Sequence, residues 1–328
     1  MQAENTTLNR REALIRLLRA AGAGAGAAGL GLWLSEHSFR PVPAAAMTVK
    51  HGHTVRADPK LPELVILQGD DPAQLVGHAV EELGGMRRFI ARGDIVLVKP
   101  NIGWDRTPEQ AANTNPDVVA EMVRQCLNAG AKRVIVTDVS CNDPRRCFQR
   151  SGIAEAAQRA GADVILPDPS RFKEVDLEGE ILRAWPVFDP FLNVDKVINL
   201  PIAKHHGLTG TTLGMKNWYG MLGGQRNQLH QKIHESLVDL ADFVRPTLTV
   251  IDCYRILVRN GPTGGNLEDV ILKKTLVAGT DPVALDAYVA KAYWNLEVDA
   301  LPYLKMAAKR GLGTYQFENV RTRVKKLS

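Results

Sequence analysis

Residues 197–222 of the chain are VINLPIAKHHGLTGTTLGMKNWYGML, an apolar strand that runs into a cluster of polar side chains. The strand covers residues 197–200 and ends at Pro201. Two lysines, two histidines and one asparagine follow it: Lys204, His205, His206, Lys216 and Asn217. Glycines lie between His206 and Lys216, and glycine allows backbone N–H groups to approach a ligand closely. The stretch therefore predicts an anion or metal pocket, and the alternative is a glycine-rich loop with solvated lysines.

The same order, an apolar strand and then polar residues, recurs along the chain. Ile95–Val98 precedes Lys99 and Asn101, and two later strands end at Asp138 and Asp252. Segments with helical spacing connect these strands through short loops, which predicts a parallel sheet. Ligands of open α/β sheets bind beyond the carboxyl ends of the strands. We therefore predict an α/β fold with a mainly parallel sheet flanked by helices, and a pocket at the strand carboxyl ends.

Local residues indicate where two of the helices begin. Asn115 precedes Pro116, and proline is typical of the first helical turn. Asp281 is a natural N-cap for the helix that follows it. A further helix is predicted from His230 to Val244.

Composition narrows the class of protein. Of the 328 residues, 45% are hydrophobic and 23% are charged, which suits a globular protein of one large or two modest domains. Basic residues are scattered and rarely alternate with aromatic ones, so the sequence disfavours nucleic-acid binding. A basic cluster within residues 321–326 is expected to be a solvated end.

Residues 1–46 resemble an export signal rather than a part of the fold. Arg10 and Arg11 precede a moderately apolar run, Ala20–Leu34, and a stretch of small residues ends at Ala46. This order predicts a twin-arginine signal that the twin-arginine export machinery recognises, and a periplasmic or envelope-associated protein. An uncleaved N-terminal anchor is the alternative.

The remaining chain is predicted to have two parts. Residues 47–62 are an irregular linker, and residues 63–328 are the α/β domain. A short hairpin is expected within residues 171–192, and a break near residues 170–195 would divide the domain into two lobes.

The four cysteines are Cys126, Cys141, Cys147 and Cys253. They form no C-x-x-C pair, so the sequence disfavours a zinc ribbon and an iron–sulfur cluster of the ferredoxin type. Cys141 and Cys147 lie in one loop, where they would form a disulfide in an exported protein or remain free thiols.

A second group of residues is suited to a divalent metal. His230 and His234 are four residues apart on a predicted helix, which places both imidazoles on one face. The residue after His230 is Gln231, so the zinc-protease motif H-E-x-x-H is absent. Asp252, at a strand end, is the third candidate ligand, and His206 is a further one.

Several spaced motifs, in order, resemble the family called domain of unknown function 362. They cover roughly residues 64–295 and comprise Val98-Lys99-Pro100-Asn101, Asn199 to His206, Met215 to Gly220, Ile251-Asp252 and Gly279 to Asp286. The resemblance implies the fold and a pocket but no reaction. Many members of that family carry cluster-binding ferredoxin segments, whose cysteines this chain lacks.

A second similarity is to lactate racemase. The spacing His206-x3-Gly210-x3-Gly214-x-Lys216 is similar to the stretch that holds that enzyme's catalytic histidine and the lysine carrying its nickel pincer cofactor. Asp105-Arg106 is similar to its cofactor-contacting segment. The resemblance places His230 or His234 where a nickel-binding histidine would lie.

Two functions agree with these residues. In the first, the protein is an enzyme acting on a small carboxylate- or phosphate-bearing molecule, with His206 and Lys216 as catalytic residues. The ligand would be held by the polar residues around them: Lys99, Asn101, Asp138, Lys204, His205 and Asn217. In the second, the protein binds a metal ion or an iron–sulfur-related ligand in the cell envelope without turnover. The lysines Lys99, Lys204 and Lys216 are expected to converge on one anion.

Overall fold

The computed structural model describes residues 46–49 and 52–327. The predicted export signal, residues 1–46, lies outside the described residues except for Ala46. Within the described part of the chain, no helix is long and apolar enough to cross a membrane. Residues 52–62, predicted to be a linker, form neither helix nor strand.

Twelve strands and seven α-helices are described within these residues. The strands are β1 (Leu64–Gln68), β2 (Ile95–Pro100), β3 (Arg133–Val136), β4 (Asp163–Val164), β5 (Phe172–Asp176), β6 (Ala184–Phe188), β7 (Lys196–Leu200), β8 (Ile202–His206), β9 (Gly210–Thr212), β10 (Leu248–Leu257), β11 (Val270–Gly279) and β12 (Thr322–Lys326). The helices are α1 (Pro72–Glu82), α2 (Pro116–Ala129), α3 (Pro144–Arg150), α4 (Ile153–Arg159), α5 (Ile233–Val244), α6 (Pro282–Trp294) and α7 (Pro302–Lys309).

Ten of the strands form one sheet in the order β12-β1-β11-β10-β7-β2-β3-β4, with β8 paired to β10 and β9 paired to β8. The pairings from β10 through β7, β2 and β3 to β4 are all parallel. Strand β11 runs antiparallel to both of its neighbours. The predicted mainly parallel α/β fold is therefore confirmed.

Two apolar cores lie on the two faces of the sheet, and alternate side chains of each strand point into one or the other. In β2, Val96 and Val98 belong to the core beneath α1, α2 and α4, whereas Leu97 belongs to the core beneath α5, α6 and α7. Successive side chains of a strand point to opposite faces, so each strand contributes to both cores. Helices therefore cover both faces of the sheet, and the ends of the strands remain as the place where a functional site can form.

The predicted cap at Asp281 is present, and the helix predicted to start near Pro116 is capped by Asn115. The Asn115 side chain accepts a hydrogen bond from the N–H of Asp117, and Asp281 accepts from the N–H groups of Val283 and Ala284. These bonds satisfy backbone donors that a helix start otherwise leaves unpaired.

Two segments differ from the expectation of irregular structure. The glycine-rich stretch after Pro201 is the antiparallel hairpin β8–β9 rather than a loop. The basic end of the chain forms β12, which pairs with β1 while its residues stay exposed.

The hairpin expected within residues 171–192 is present as the two-stranded sheet β5–β6. Its connecting loop is fastened to α5 because Asp239 accepts three backbone N–H groups from residues 180–182.

One buried carboxylate fixes the start of the next polar segment. Asp286 of α6 accepts hydrogen bonds from the N–H groups of Gly214 (2.7 Å) and Met215 (3.0 Å). Burial raises the pKa of Asp286 to about 7. Asn199 of β7 donates to the carbonyl of Gly214 from the other side. Lys216 and Asn217 therefore follow a rigidly held turn.

Candidate functional site

A cavity of about 920 Å³ lies beyond the carboxyl ends of β2 and β3, beside β8. Eight of the predicted site residues line it: Lys99, Asn101, Asp138, Lys204, His206, Lys216, Asn217 and His230. In β8, Lys204 and His206 share one face because side chains alternate along a strand. His205 lies between them in the strand and does not line the cavity, and its Nδ1 accepts the N–H of Gly261 (3.2 Å).

The floor of the cavity is a buried ion pair. The Lys99 ammonium lies 2.7 Å from an oxygen of Asp138, and both side chains are buried. Lys99 also donates to the side-chain oxygen of Asn217 (2.8 Å) and to the carbonyl of Pro100 (3.0 Å). Burial lowers the pKa of Lys99, and the neighbouring Asp138 carboxylate opposes this effect. Three oxygen atoms therefore lie within 3.0 Å of the Lys99 ammonium, which makes it the least available of the three lysines for an anion.

Asn217 connects the ion pair to the adjoining strands. Its oxygen accepts from Lys99 and from the side-chain nitrogen of Asn101 (3.0 Å). Its nitrogen donates to the side-chain oxygen of Asn199 (2.8 Å) and to the carbonyl of Lys99 (3.2 Å). The amide therefore holds the 3₁₀-helix Lys216–Met221 against β2 and β7.

Gly220, in the same 3₁₀-helix, packs directly on the ion pair. A Cβ atom added there would lie 1.8 Å from an oxygen of Asp138 and 2.6 Å from the Lys99 nitrogen. The Gly220 carbonyl accepts the N–H of Val139 (2.8 Å). The close approach of backbone to charge requires a residue without a side chain.

The other two lysines are progressively less well paired. Lys204 is buried and donates to Asn101 (3.0 Å) and to the carbonyl of Ala112 (2.6 Å). The Lys216 nitrogen lies 4.7 Å from the centre of the Tyr219 ring, and no described residue gives it a hydrogen bond or salt bridge. Burial lowers the pKa of Lys204 to about 7 and that of Lys216 to about 8.

Two histidines face the cavity beside Lys216. The rings of His206 and His230 are parallel to within 7°, with centroids 6.2 Å apart. His206 is buried, whereas His230 is half-buried and lies 5.5 Å from the Tyr219 ring. Burial lowers the pKa of both, to about 3 for His206.

The structure does not assemble the three predicted metal ligands His230, His234 and Asp252. The predicted helix from His230 begins instead at Ile233, and residues 226–232 are a 3₁₀-helix, so the i, i+4 relation of the two histidines is lost. His234 stacks on Tyr303 away from the cavity. In residues 46–49 and 52–327, no three His, Cys, Asp or Glu side chains are grouped to hold a metal ion.

Asp252 does not line the cavity, and its hydrogen bonds are structural. It lies inside β10 rather than at a strand end, and it is buried. Its two oxygens accept the N–H groups of Asn115 (2.8 Å) and Tyr254 (2.9 Å). Burial raises the pKa of Asp252 to about 6. The carboxylate therefore anchors the start of α2 to the sheet.

All four cysteines are free thiols, so the disulfide alternative for Cys141 and Cys147 is wrong. Cys147 is buried in α3, and burial raises its pKa to about 11. Cys141 is exposed on the cavity wall.

Arg226 is a site residue that sequence reasoning missed. Its guanidinium donates to the carbonyls of Val139 (2.8 Å), Ser140 (2.9 Å) and Tyr219 (2.9 Å), and to the Cys141 sulfur (3.4 Å). It therefore joins the loop after β3 to the 3₁₀-helix that carries Lys216. A single arginine whose partners Val139 and Ser140 lie more than eighty residues away in the sequence carries no sequence signal for this role.

Comparison with known proteins gives one family and one curated relative. The family described as Domain of unknown function (DUF362) matches residues 96–291. The thylakoid-associated protein sll1697 of Synechocystis sp. is 28% identical over 249 residues, which are 71% of this chain and 73% of that protein.

Two solved structures are similar at low identity. The lactate racemase apoprotein from Thermoanaerobacterium thermosaccharolyticum has a TM-score of 0.42 at 10% identity, and a protein from Thermotoga maritima has 0.35 at 14%. Each similarity covers 74% of this chain, and 61% and 60% of the respective structures. The chain thus spans about three-fifths of the length of each.

The contact of Gly220 with the ion pair can be tested by substitution. Gly220→Ala should lower the free energy of unfolding by about 3 kcal/mol or more, because the added methyl group must displace Asp138 or Lys99 and break a buried pair. The measurement is urea unfolding followed by circular dichroism. Gly207→Ala is the control, since nothing lies within 4 Å of a Cβ at that position. Equal effects of the two substitutions would contradict the assignment.

The buried charge of Lys204 predicts a dependence of stability on pH. Its folded-state pKa of about 7 lies below the value of about 10.4 for an unfolded chain. Between these values the unfolded state binds more protons, so the stability of the wild type relative to Lys204→Met should rise with pH, by up to about 1.4 kcal/mol per unit. Urea unfolding at several pH values across the interval measures it. The exposed Lys132→Met is the control, and a difference that stays flat or falls would refute the burial argument.

Proposed function

The chain belongs to the family of domain of unknown function 362, and from its cavity we propose that it binds a small carboxylate- or phosphate-bearing molecule there. The observation that carries the proposal is the Lys216 ammonium. It lines the cavity, and no described residue offers it a hydrogen-bond acceptor or a carboxylate. A bound anion would supply that missing partner.

The charges around Lys216 support the same ligand class. Lys204 and Arg226 also line the cavity, whereas the carboxylate of Asp138 is already paired with Lys99. Repulsion from Lys216 adds to burial in lowering the pKa of Lys204. Like charges a few ångströms apart in a partly solvated site repel by on the order of 1 kcal/mol, and an anion would relieve this.

The proposed roles of the sequence-predicted residues follow their pairing. Lys216 and Lys204 would contact the anion, with Asn101 positioning Lys204. His206 and Lys216 remain the proposed catalytic residues if the bound molecule is turned over. Lys99, Asp138 and Asn217 would shape the site from beneath without contacting the ligand through a free donor.

We also propose that the protein is exported by the twin-arginine route and stays at the cell envelope. The arginine pair and the small-residue stretch before Ala46 support this. The curated relative is a thylakoid-associated protein, which agrees with association with a membrane.

Anion binding predicts a rise in melting temperature. A ligand that binds the folded state alone stabilises it by about 2.7 kcal/mol at a hundred times its Kd. Phosphate, sulfate, acetate and glycolate should be tested by differential scanning fluorimetry on the wild type, Lys216→Met and the control Lys132→Met. We expect at least one anion to raise the melting temperature of the wild type and the control but not of Lys216→Met. No shift with any anion, or a shift that Lys216→Met retains, would rule out this site.

The export proposal is tested by replacing Arg10 and Arg11 together by lysine. The substitution should move the protein from the envelope fraction to the cytoplasm, because the pathway requires the arginine pair. Immunoblotting of fractions from cells expressing both forms measures the change. Envelope localisation that persists in the lysine variant would argue against the twin-arginine route.

A further inference from the structure

The hydrogen bonds of His206 define where its proton lies. Its Nδ1 is 3.1 Å from the N–H nitrogen of Leu208 and 3.4 Å from that of Thr209. A backbone N–H donates and cannot accept, so Nδ1 must hold a lone pair. The neutral ring therefore carries its proton on Nε2. The low pKa of His206, caused mainly by burial, keeps the ring neutral at pH 7.

His230 has the opposite arrangement. Its Nδ1 lies 3.0 Å from the carbonyl oxygen of Asn227, and a carbonyl oxygen can accept but not donate. Nδ1 therefore carries the proton, and Nε2 holds the lone pair. Burial and the nearby Lys216 charge lower the pKa of His230, so this ring is also neutral at pH 7.

The two rings form a matched donor and acceptor on one wall. Both line the cavity, and no described residue hydrogen-bonds to either Nε2. Their centroids are 6.2 Å apart. A hydroxyl oxygen that accepts from one nitrogen and donates to another holds the two nitrogens roughly 4.5–5.5 Å apart, a separation that two rings at this centroid distance can present at their edges.

We propose that His206 and His230 together recognise an O–H group on the bound anion. The Nε2–H of His206 donates to the oxygen of that group, and the group donates its own proton to Nε2 of His230. The inference rests on the proposed anion binding and narrows its ligand class. The ligand is an anion that carries its own O–H, as monohydrogen phosphate and hydroxycarboxylates do.

Anions without an O–H fit the pair less well. Sulfate and acetate can accept the hydrogen bond from His206, but they turn only lone pairs toward Nε2 of His230. That acceptor then stays unsatisfied in a partly buried place, which costs about tenfold in affinity. Sulfate differs from phosphate, and acetate from glycolate, mainly in lacking this proton donor.

The test compares the two members of each pair by isothermal titration calorimetry at neutral pH. We expect the wild type to bind phosphate about tenfold tighter than sulfate, or glycolate about tenfold tighter than acetate, as expected for one such hydrogen bond. The pair that shows the preference identifies a phosphoryl or a hydroxycarboxylate ligand. His230→Phe should abolish the preference while keeping the affinity for the anion without O–H. His78→Phe, on α1 outside the cavity, is the control.

Three outcomes separate this inference from the proposed function. Equal affinities within both pairs, or a preference that His230→Phe retains, would overturn the inference and leave anion binding intact. No binding of any of the four anions would overturn both. Because His230→Phe could fail to fold, nitrogen-15 NMR of the wild-type histidines provides a second test. The spectra should show Nδ1 unprotonated in His206 and protonated in His230. Any other assignment would refute the proposed pairing of a donor and an acceptor.

Discussion

The ion pair between Lys99 and Asp138 is the interaction on which the cavity depends. Burying two charges is costly, and here the cost is offset because Lys99 has three acceptors and Asp138 also accepts the N–H of Ile102. Such a pair contributes little to stability compared with apolar residues of the same volume, yet losing one partner costs about 3–5 kcal/mol. The ion pair therefore matters mainly because it fixes the positions of the groups around it. It joins the ends of β2 and β3 and forms the surface on which Gly220 and Asn217 rest.

The three lysines of the cavity differ in how many partners they have within the protein, and therefore in how available each is to a ligand. Lys99 has every donor occupied, Lys204 has two named acceptors, and Lys216 has a ring face as its described partner. The order follows from where each lies: the first two are held in strands of the sheet, whereas the third follows the turn fixed by Asp286. Positive charge without a hydrogen-bond or salt-bridge partner among the described residues thus remains at Lys216, on the cavity wall. This arrangement favours a small anion over a neutral molecule.

The features of the structure that could be predicted from the sequence are those that depend on residues close together in the chain. The apolar run Ile95–Val98 and the cap at Asp281 are local signals, and both are present in the structure. Most of the polar residues that follow the strands line the cavity, whereas Asp252 lies inside β10. Contacts between distant segments could not be predicted, and the clamp made by Arg226 is one of them. The prediction that His230 and His234 share one helix face was wrong because it required an α-helix from His230. The chain forms a 3₁₀-helix there, and the α-helix begins at Ile233.

The charge of Lys216 also governs the histidines beside it. Its positive charge, after burial, lowers the pKa of both His206 and His230. Both rings therefore stay neutral, and a neutral ring is what allows one imidazole to donate and the other to accept at Nε2. Metal ligation by Nε2 of His206 would require its proton to move to Nδ1, toward the N–H groups of Leu208 and Thr209. The same backbone bonds that oppose a metal at His206 thus prepare it to donate a hydrogen bond beside an unpaired cation.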